Sequence, residues 1–355
     1  MTVNEIFRIY GNEYLEKFEH NMLPSHLRAL KDISRCRTDK MGTVHWYCPK
    51  CGEEHFSYMP CRNRSCPGCQ NDKKIKWTIK QLDLKLPVEY FMATFTIPHF
   101  LGGLARSNQK LFYNILFNAA AQSILKLAKD EKYMGGQIGI VGILHTWARN
   151  LAFHPHVHFL IPGVAISYDK KKILFSNKHF LVYAPSLSTI FRAIFIKLLK
   201  KSDIENSDYN PAFVNDWVVD LRSVGSGQKA IEYVAKYIYK TAISNTNIIS
   251  CKESIVTFQY EEYETKKTIT RSVPVLEFIR MFLQHVLPQS FQKVRYYGIL
   301  HPKNRLIFNI IRLLLRVKFE VPDKYFNYQS SLTGIKCPKC GTAMVFVETL
   351  DRAPP

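Results

Sequence analysis

The chain has 355 residues, 46% of them hydrophobic, which excludes a mostly disordered protein and is enough for two or three folded domains. Lys and Arg outnumber Asp and Glu by 49 to 29, which gives a net charge of +20. Such a surplus predicts a polyanionic partner, nucleic acid first and an anionic membrane surface second, although a solvated basic surface would give the same composition.

The N-terminal segment is mixed and charged. It lacks the apolar core of a signal peptide, and no run in the chain approaches the ~18 apolar residues of a membrane span. We therefore expect a cytoplasmic protein without membrane contact, in which the nine cysteines are thiols or metal ligands. Ile6, Tyr10, Tyr14 and Phe18 follow a helical spacing, so residues 1–32 are predicted to form one or two amphipathic helices.

Residues 36–69 hold six of the nine cysteines and show little periodicity, which predicts a small module held by metal rather than by a core. Two C-x2-C knuckles are present, Cys48 with Cys51 and Cys66 with Cys69. Together they predict one structural zinc site of four sulfurs, with no open position for chemistry. Cys36 and Cys61 are left over, and they either complete a second zinc site or are simply buried.

Basic residues flank the second knuckle on both sides and predict a phosphate-contacting surface. They are Arg62, Arg64, Lys73, Lys74 and Lys76. Near the C-terminus, Cys337 and Cys340 form half a metal site, which needs ligands from elsewhere in the fold or from a second chain.

Strands and helices mix between these cysteine-rich ends without regular alternation, which favours an α+β fold with a mainly antiparallel sheet. The predicted strands are 88–98, 137–147, 156–166, 217–224 and 253–262, and the predicted helices are 106–129, 188–202, 227–244 and 274–288.

The segment HPHVH places three histidines in five positions. His156 and His158 are two residues apart on a predicted strand, so both side chains point to one face. His145 ends the preceding predicted strand, and this spacing suits three ligands of one ion in a hairpin. His154, which precedes a proline, is not expected to share that face. Satisfied core histidines are the alternative, and a zinc hydrolase with a metal-bound water could use the same ligands.

Two tyrosines lie one turn apart on the helix predicted at 227–244. Tyr233 and Tyr237 share one face of that helix, whereas Tyr239 lies well round it. Such a pair is usually packing, but Lys236 and Lys240 and the candidate metal site nearby favour a function.

The segments HPHVHFLIPG, EYVAKYIYKTAIS and EFIRMFLQHVLPQSFQKVRYYG follow one another as in the rolling-circle insertion-sequence transposases. The chain resembles that family over roughly residues 10–345. Its members pair an HUH endonuclease domain (His, hydrophobe, His) with two catalytic tyrosines, and CRNRSCPGCQ and FMATFTIPHF are similar to the zinc-binding domain that precedes it. Ser65 stands where the family has His, which argues against a second zinc ion, and PGVAIS lacks one glycine of the usual PGG.

The resemblance implies that His145, His156 and His158 hold Mg²⁺ or Mn²⁺ at a DNA phosphate, while zinc is structural. Tyr233 or Tyr237 would then attack, forming a 5′-phosphotyrosine and releasing a 3′-OH. The expected substrate is single-stranded DNA at the element ends and the target, contacted by the basic residues above together with Lys236 and Lys240. Because no P-loop motif is present, a host helicase or the replication machinery must separate the strands.

Three domains are expected: an N-terminal zinc-binding module at 1–85, a central HUH-type antiparallel sheet flanked by helices at 86–300, and a C-terminal helix with a short CxxC tail at 301–355. Two other functions stay open. One is a rolling-circle replication initiator of a plasmid or phage, and the other is a catalytically inactive, zinc-dependent DNA-binding regulator.

Overall fold

The computed structural model describes residues 1–177, 179–204, 217–226, 231–232, 240–262, 265–317 and 335–350, except for the side chains of 71–73 and 83. Its helices are α1 Val3–Phe18, α2 Pro24–Arg35, α3 Gln70–Asp83, α4 Gly102–Ser107, α5 Gln109–Ala128, α6 Ala184–Lys200, α7 Val275–Leu283 and α8 Arg305–Leu314. Its strands are β1 Thr43–Tyr47, β2 Glu54–Tyr58, β3 Glu89–Thr96, β4 Gln137–Trp147, β5 Phe153–Pro162, β6 Val164–Ile166, β7 Ile173–Phe175, β8 Val219–Ser226, β9 Ile248–Lys252, β10 Ile255–Glu261, β11 Thr268–Pro274, β12 Val294–Gly298 and β13 Val345–Leu350.

An antiparallel sheet of seven strands organises the centre of the described chain. Its order is β7-β6-β4-β5-β3-β8, and β12 pairs with β4. In β5 the odd-numbered residues, such as Val157 and Phe159, are fully buried against α5 and α6, where aromatic side chains dominate the core. Because side chains alternate along a strand, the even-numbered residues of β5 point to the opposite face, which carries His156 and His158. We call this the histidine face.

Apolar side chains cover the rest of the histidine face. Tyr90, Met92 and Leu160 are buried there, together with Phe308 of α8, and Trp77 of α3 packs against them. The sheet is therefore covered by helices on both sides, and among the described residues the histidines lie toward one end of the histidine face.

The N-terminal helices pack on a second part of the molecule, formed by α7 and the three-stranded sheet β11-β10-β9. Phe7 of α1 meets Phe282 of α7 edge to face, with ring centroids 5.1 Å apart. The β1–β2 hairpin stands apart from this core and pairs with β13, so the C-terminal segment returns to the N-terminal module.

The predicted α+β class, with an antiparallel central sheet, an N-terminal cysteine-rich module and a C-terminal CxxC segment, is confirmed. The domain boundaries at 85 and 300 stay predictions. In the described part of the chain no helix combines the length and apolarity that crossing a membrane requires.

The helix predicted at 227–244 is helical at 231–232, whereas residues 240–244 are not helical, so its predicted end is wrong. Thr241 Oγ1 donates to the Ile243 carbonyl at 2.8 Å, a local bond that competes with helix continuation. Tyr233, Tyr237, Tyr239 and Lys236 lie outside the described residues.

Candidate functional site

Three histidines meet on the histidine face. β4 and β5 pair with His145 opposite His156 and with Ile143 opposite His158. This register places His145 and His156 side by side and His158 one step along the same face. The ligand nitrogens of the three rings lie within 4.8 Å of one another. The structure thus brings together the three side chains that the sequence predicts as ligands of one ion, whereas His154 is outside the group.

Hydrogen bonds fix the orientation of two of these rings. His156 Nδ1 donates to the His154 carbonyl at 2.7 Å, which leaves Nε2 as the atom that can carry a lone pair. His158 Nδ1 lies 2.9 Å from Oγ1 of Thr94, a residue of β3 directly opposite it. When Nδ1 donates to this hydroxyl, Nε2 of His158 is likewise free to bind a metal. Sequence reasoning missed Thr94, because nothing in the sequence says which strand lies beside β5.

Burial disfavours the charged form of His156 and His158. It lowers the pKa of His156 to about 4. Burial, with the charges of His156, Arg222 and Lys240, lowers the pKa of His158 well below its ordinary value. Neutral imidazoles are the form that binds metal ions, so these two rings can act as metal ligands at pH 7.

Aromatic and basic side chains border the three histidines. Trp147 stacks on His145, with ring centroids 4.6 Å apart and planes at 22°. Lys293 Nζ lies 5.0 Å from the centroid of the Trp147 ring and donates to the Lys240 carbonyl at 3.1 Å. Two lysines therefore stand beside the site, of which sequence reasoning found Lys240 and missed Lys293, whose sequence context carries no signal.

The other residues predicted to contact DNA differ in their exposure and in their contacts within the protein. Arg62 and Lys76 are exposed and Lys74 is half-buried. The Arg64 guanidinium instead donates to the main-chain carbonyls of Leu287, Pro288 and Phe291. Arg64 thus joins the N-terminal module to the turn after α7, a role that the prediction of a phosphate contact did not foresee. The side chain of Lys73 lies outside the described residues.

The cysteines form two groups of four. One consists of Cys36, Cys61, Cys66 and Cys69, and the other consists of Cys48, Cys51, Cys337 and Cys340. The predicted single site that joins the two N-terminal knuckles is therefore wrong. The leftover pair, Cys36 and Cys61, completes the knuckle of Cys66 and Cys69, so a group of four sulfurs forms without a ligand at Ser65.

The β1–β2 hairpin explains this pairing. Cys36 and Cys61 lie before and after the hairpin, at its base, whereas Cys48 and Cys51 lie in the turn at its tip. A strand of five residues rises about 3.3 Å per residue, so base and tip are roughly 17 Å apart and cannot share one ion. Reading along the sequence treats the knuckles as neighbours, but the hairpin separates them.

The group of Cys36, Cys61, Cys66 and Cys69, which we call the base cluster, has the geometry of a zinc site. The Cys36 and Cys69 sulfurs are 3.5 Å apart, and the Cys36–Cys66 and Cys61–Cys69 sulfur pairs are each 3.8 Å apart. Sulfurs at the corners of a tetrahedron around zinc, with bonds near 2.3 Å, are separated by ~3.8 Å. Asn4 Nδ2 donates to the Cys66 sulfur at 3.3 Å, the kind of second contact that supports a thiolate ligand.

Known families match both parts of this architecture. Residues 6–97 match the family model described as "Transposase zinc-binding domain", and residues 139–305 match the one described as "Putative transposase". The first match contains the whole base cluster, and the second contains the three histidines. The class of protein is thus a transposase with a zinc-binding domain.

Relatives extend the match over nearly the whole chain. A protein of Sinorhizobium fredii named "Putative transposase y4qJ" is 30% identical over 383 residues, covering 98% of this chain and 95% of its own. The transposase for insertion sequence element IS801 of Pseudomonas savastanoi pv. phaseolicola is 23% identical over 342 residues, covering 89% of this chain and 82% of its own. This chain belongs to the same family of insertion-sequence transposases, which confirms the resemblance.

Among solved structures, a bacterial tRNA(His) guanylyltransferase-like protein in complex with ATP is similar to this chain. The matched region spans 61% of this chain and 98% of that protein's chain. Its sequence identity is 13% and its TM-score 0.21, so this likeness carries no argument.

Proposed function

We propose that this transposase nicks and rejoins single-stranded DNA at insertion-sequence ends by metal-dependent HUH endonuclease chemistry, driving rolling-circle transposition. The observation that carries the proposal is the convergence of three imidazoles on one face of the sheet, with ligand atoms within 4.8 Å. A transposase family with an antiparallel sheet and such a cluster fits phosphodiester transfer better than a purely structural role for the histidines.

The chain's own groups prepare the site for a divalent cation. His145, His156 and His158 offer three nitrogen ligands, and the hydrogen bonds of His156 and His158 hold their rings in place. A bound Mg²⁺ or Mn²⁺ would polarise the scissile phosphate and offset its developing charge, and nitrogen ligands favour Mn²⁺. Trp147, which packs on His145, helps to shield the site from water.

The nucleophile is proposed to be Tyr233 or Tyr237. Its hydroxyl gives up a proton to water, and the resulting phenolate oxygen attacks the phosphorus. The bond from phosphorus to the 3′ oxygen breaks, and that oxygen takes up a proton from water to leave as a 3′-OH. The 5′ phosphate stays on the tyrosine, which conserves the bond energy for rejoining. Two tyrosines allow two successive transfers, one at each element end or one each at donor and target.

Basic side chains supply the proposed contacts to the DNA backbone. Lys240 lies close enough to the histidines for its charge to lower the pKa of His156 and His158. Arg62, which lies between two cysteines of the base cluster, and Lys74 and Lys76, which follow the cluster, mark a second basic region. Because the proposed substrate is DNA, the proposed location of the protein is the cytoplasm, at the nucleoid. A host helicase or the replication machinery would separate the strands.

The decisive experiment incubates the protein with single-stranded element-end DNA and Mn²⁺ and isolates covalent adducts. We expect Tyr233→Phe and Tyr237→Phe to retain some nicking singly and the double variant to form no adduct. Tyr239→Phe is the matched control and should form adducts normally. An adduct mapped by mass spectrometry to Tyr239 or to a serine would overturn the assignment.

A second experiment tests the metal ligands. The double change His156→Ala and His158→Ala should abolish nicking and leave DNA binding nearly intact, because affinity rests mostly on phosphate contacts. His154→Ala, which alters a neighbouring histidine outside the three-ligand group, should keep activity. Nicking at the wild-type rate by the double variant would refute the metal site. A wild-type protein that binds this DNA but never nicks it would favour the inactive regulator.

A further inference from the structure

We propose that Cys48, Cys51, Cys337 and Cys340 bind a second structural zinc ion, and that this ion fastens the C-terminal segment 335–350 to the β1–β2 hairpin. We call these four residues the tip cluster. The matched zinc-binding domain ends at residue 97 and the second family match ends at residue 305, so neither includes Cys337 and Cys340.

The sulfur positions fit a tetrahedral ion. Cys48 and Cys340 have sulfurs 3.5 Å apart, and Cys51 and Cys337 have sulfurs 3.6 Å apart. These values are close to the ~3.8 Å edge of a tetrahedron of sulfurs around zinc. All four ligand atoms lie within 4.8 Å of one another, although the paired residues are 292 and 286 positions apart in the chain. Four sulfurs without an open position are typical of structural zinc.

The two halves of the tip cluster have the same backbone. Gly52 and Gly341, which follow the second cysteine of each knuckle, have φ values of 72° and 73°. Each glycine donates its N–H to the carbonyl of the first cysteine of its knuckle at 2.9 Å. Because only glycine adopts such a φ readily, the sequence CPKCG prepares both turns to present two sulfurs to one ion.

A second hydrogen bond repeats in both turns. The N–H of Cys48 donates to the Glu53 carbonyl at 2.9 Å, and the N–H of Cys337 donates to the Thr342 carbonyl at 2.8 Å. Each bond spans five positions and closes the turn around its pair of sulfurs. Two knuckles that match in dihedral angle and hydrogen bonding and face each other are the architecture of a zinc ribbon, here divided between the two ends of the chain.

Contacts beyond the sulfurs hold the same two segments together. β13 pairs with β1 from Thr43 opposite Leu350 to Tyr47 opposite Val345. Cys48, Cys337 and Met344 are buried together in a small apolar cluster, too small to hold a three-stranded sheet by burial alone. Metal binding therefore supplies the stability that this cluster lacks, and the free energy of binding becomes free energy of folding for the segment.

The test measures metal per chain in the full-length protein, purified under reducing conditions, by elemental analysis and native mass spectrometry. We expect two zinc ions per chain in the wild type and one in the double variant Cys337→Ser and Cys340→Ser. Cys251→Ser is the matched control, because Cys251 is a free cysteine of β9 outside both clusters, and it should keep two. One zinc in the wild type, two in the double variant, or iron in place of zinc would overturn the proposal.

If the serine variant does not fold, cysteine alkylation of the unaltered protein tests the same proposal. With zinc bound, the four tip-cluster cysteines should resist alkylation, and a chelator should make them reactive, with Cys251 as the internal reference. Disulfides between Cys48 and Cys340 or between Cys51 and Cys337 in the reduced preparation would refute zinc binding. Neither readout involves DNA or Mn²⁺, so a negative result leaves the nicking proposal untouched, and the reverse also holds.

Discussion

Thr94 offers a sharp test of the proposed metal centre, because its hydroxyl contacts His158 and no part of the DNA chemistry requires it. Replacing Thr94 by Val keeps the shape of the side chain and removes the 2.9 Å hydrogen bond to His158 Nδ1. Outer contacts that orient a metal-binding histidine typically contribute 10–100-fold to metal affinity, about 1.4–2.8 kcal/mol. We therefore expect Thr94→Val to need roughly 10–100-fold more Mn²⁺ for half-maximal nicking, with nicking largely restored at saturating Mn²⁺.

The assay is a Mn²⁺ titration of nicking on a labelled single-stranded oligonucleotide, with thermal melting to confirm folding. Thr96→Val is the matched control, because Thr96 lies two positions along β3 on the same face, opposite His156. It should leave the Mn²⁺ requirement within about twofold of the wild type, far below the change expected from losing an outer contact. An equal shift in both variants, or no shift in Thr94→Val, would refute the orienting role of this hydrogen bond.

Two further predictions concern stability. Gly298 has a φ of 61°, and a Cβ there would lie 1.9 Å from the Ile138 carbonyl oxygen, so Gly298→Ala should lower the free energy of unfolding by at least about 2 kcal/mol. Gly225→Ala is the control, because Gly225 has a φ of 85° but open space around the added Cβ, so this variant should lose only the free energy of the backbone strain. If denaturant melts showed the same loss of unfolding free energy in both variants, a clash at Gly298 would be contradicted. Burial lowers the pKa of His285 from 6.5 to about 3, so the unfolded chain takes up a proton there first as pH falls. His285 should therefore contribute up to about 1.4 kcal/mol per pH unit to the loss of stability between pH 6.5 and pH 3, and His285→Gln should remove that contribution.

Much of the site follows from local sequence rules. A period of two places His156 and His158 on one face of a strand whatever the fold around it, and a short hairpin then brings His145 beside them. The CxxC spacing likewise identifies zinc knuckles, because the turn that presents two sulfurs to one ion is formed by adjacent residues. Those patterns, with the family resemblance, were enough to predict a transposase with a zinc-binding module and a three-histidine centre.

Only the tertiary structure decided which knuckles share an ion. Sequence distance favoured Cys48 and Cys51 with Cys66 and Cys69, but a five-residue hairpin keeps them apart and brings Cys337 back across 286 residues of chain. Strand order in the sheet likewise determined that Thr94 lies beside His158, and packing turned Arg64 inward to carbonyls after α7. Such contacts depend on how distant segments of the chain pack together, and the spacing of neighbouring residues does not encode this packing. The free energy that selects the packing comes from burying the whole hydrophobic core at once.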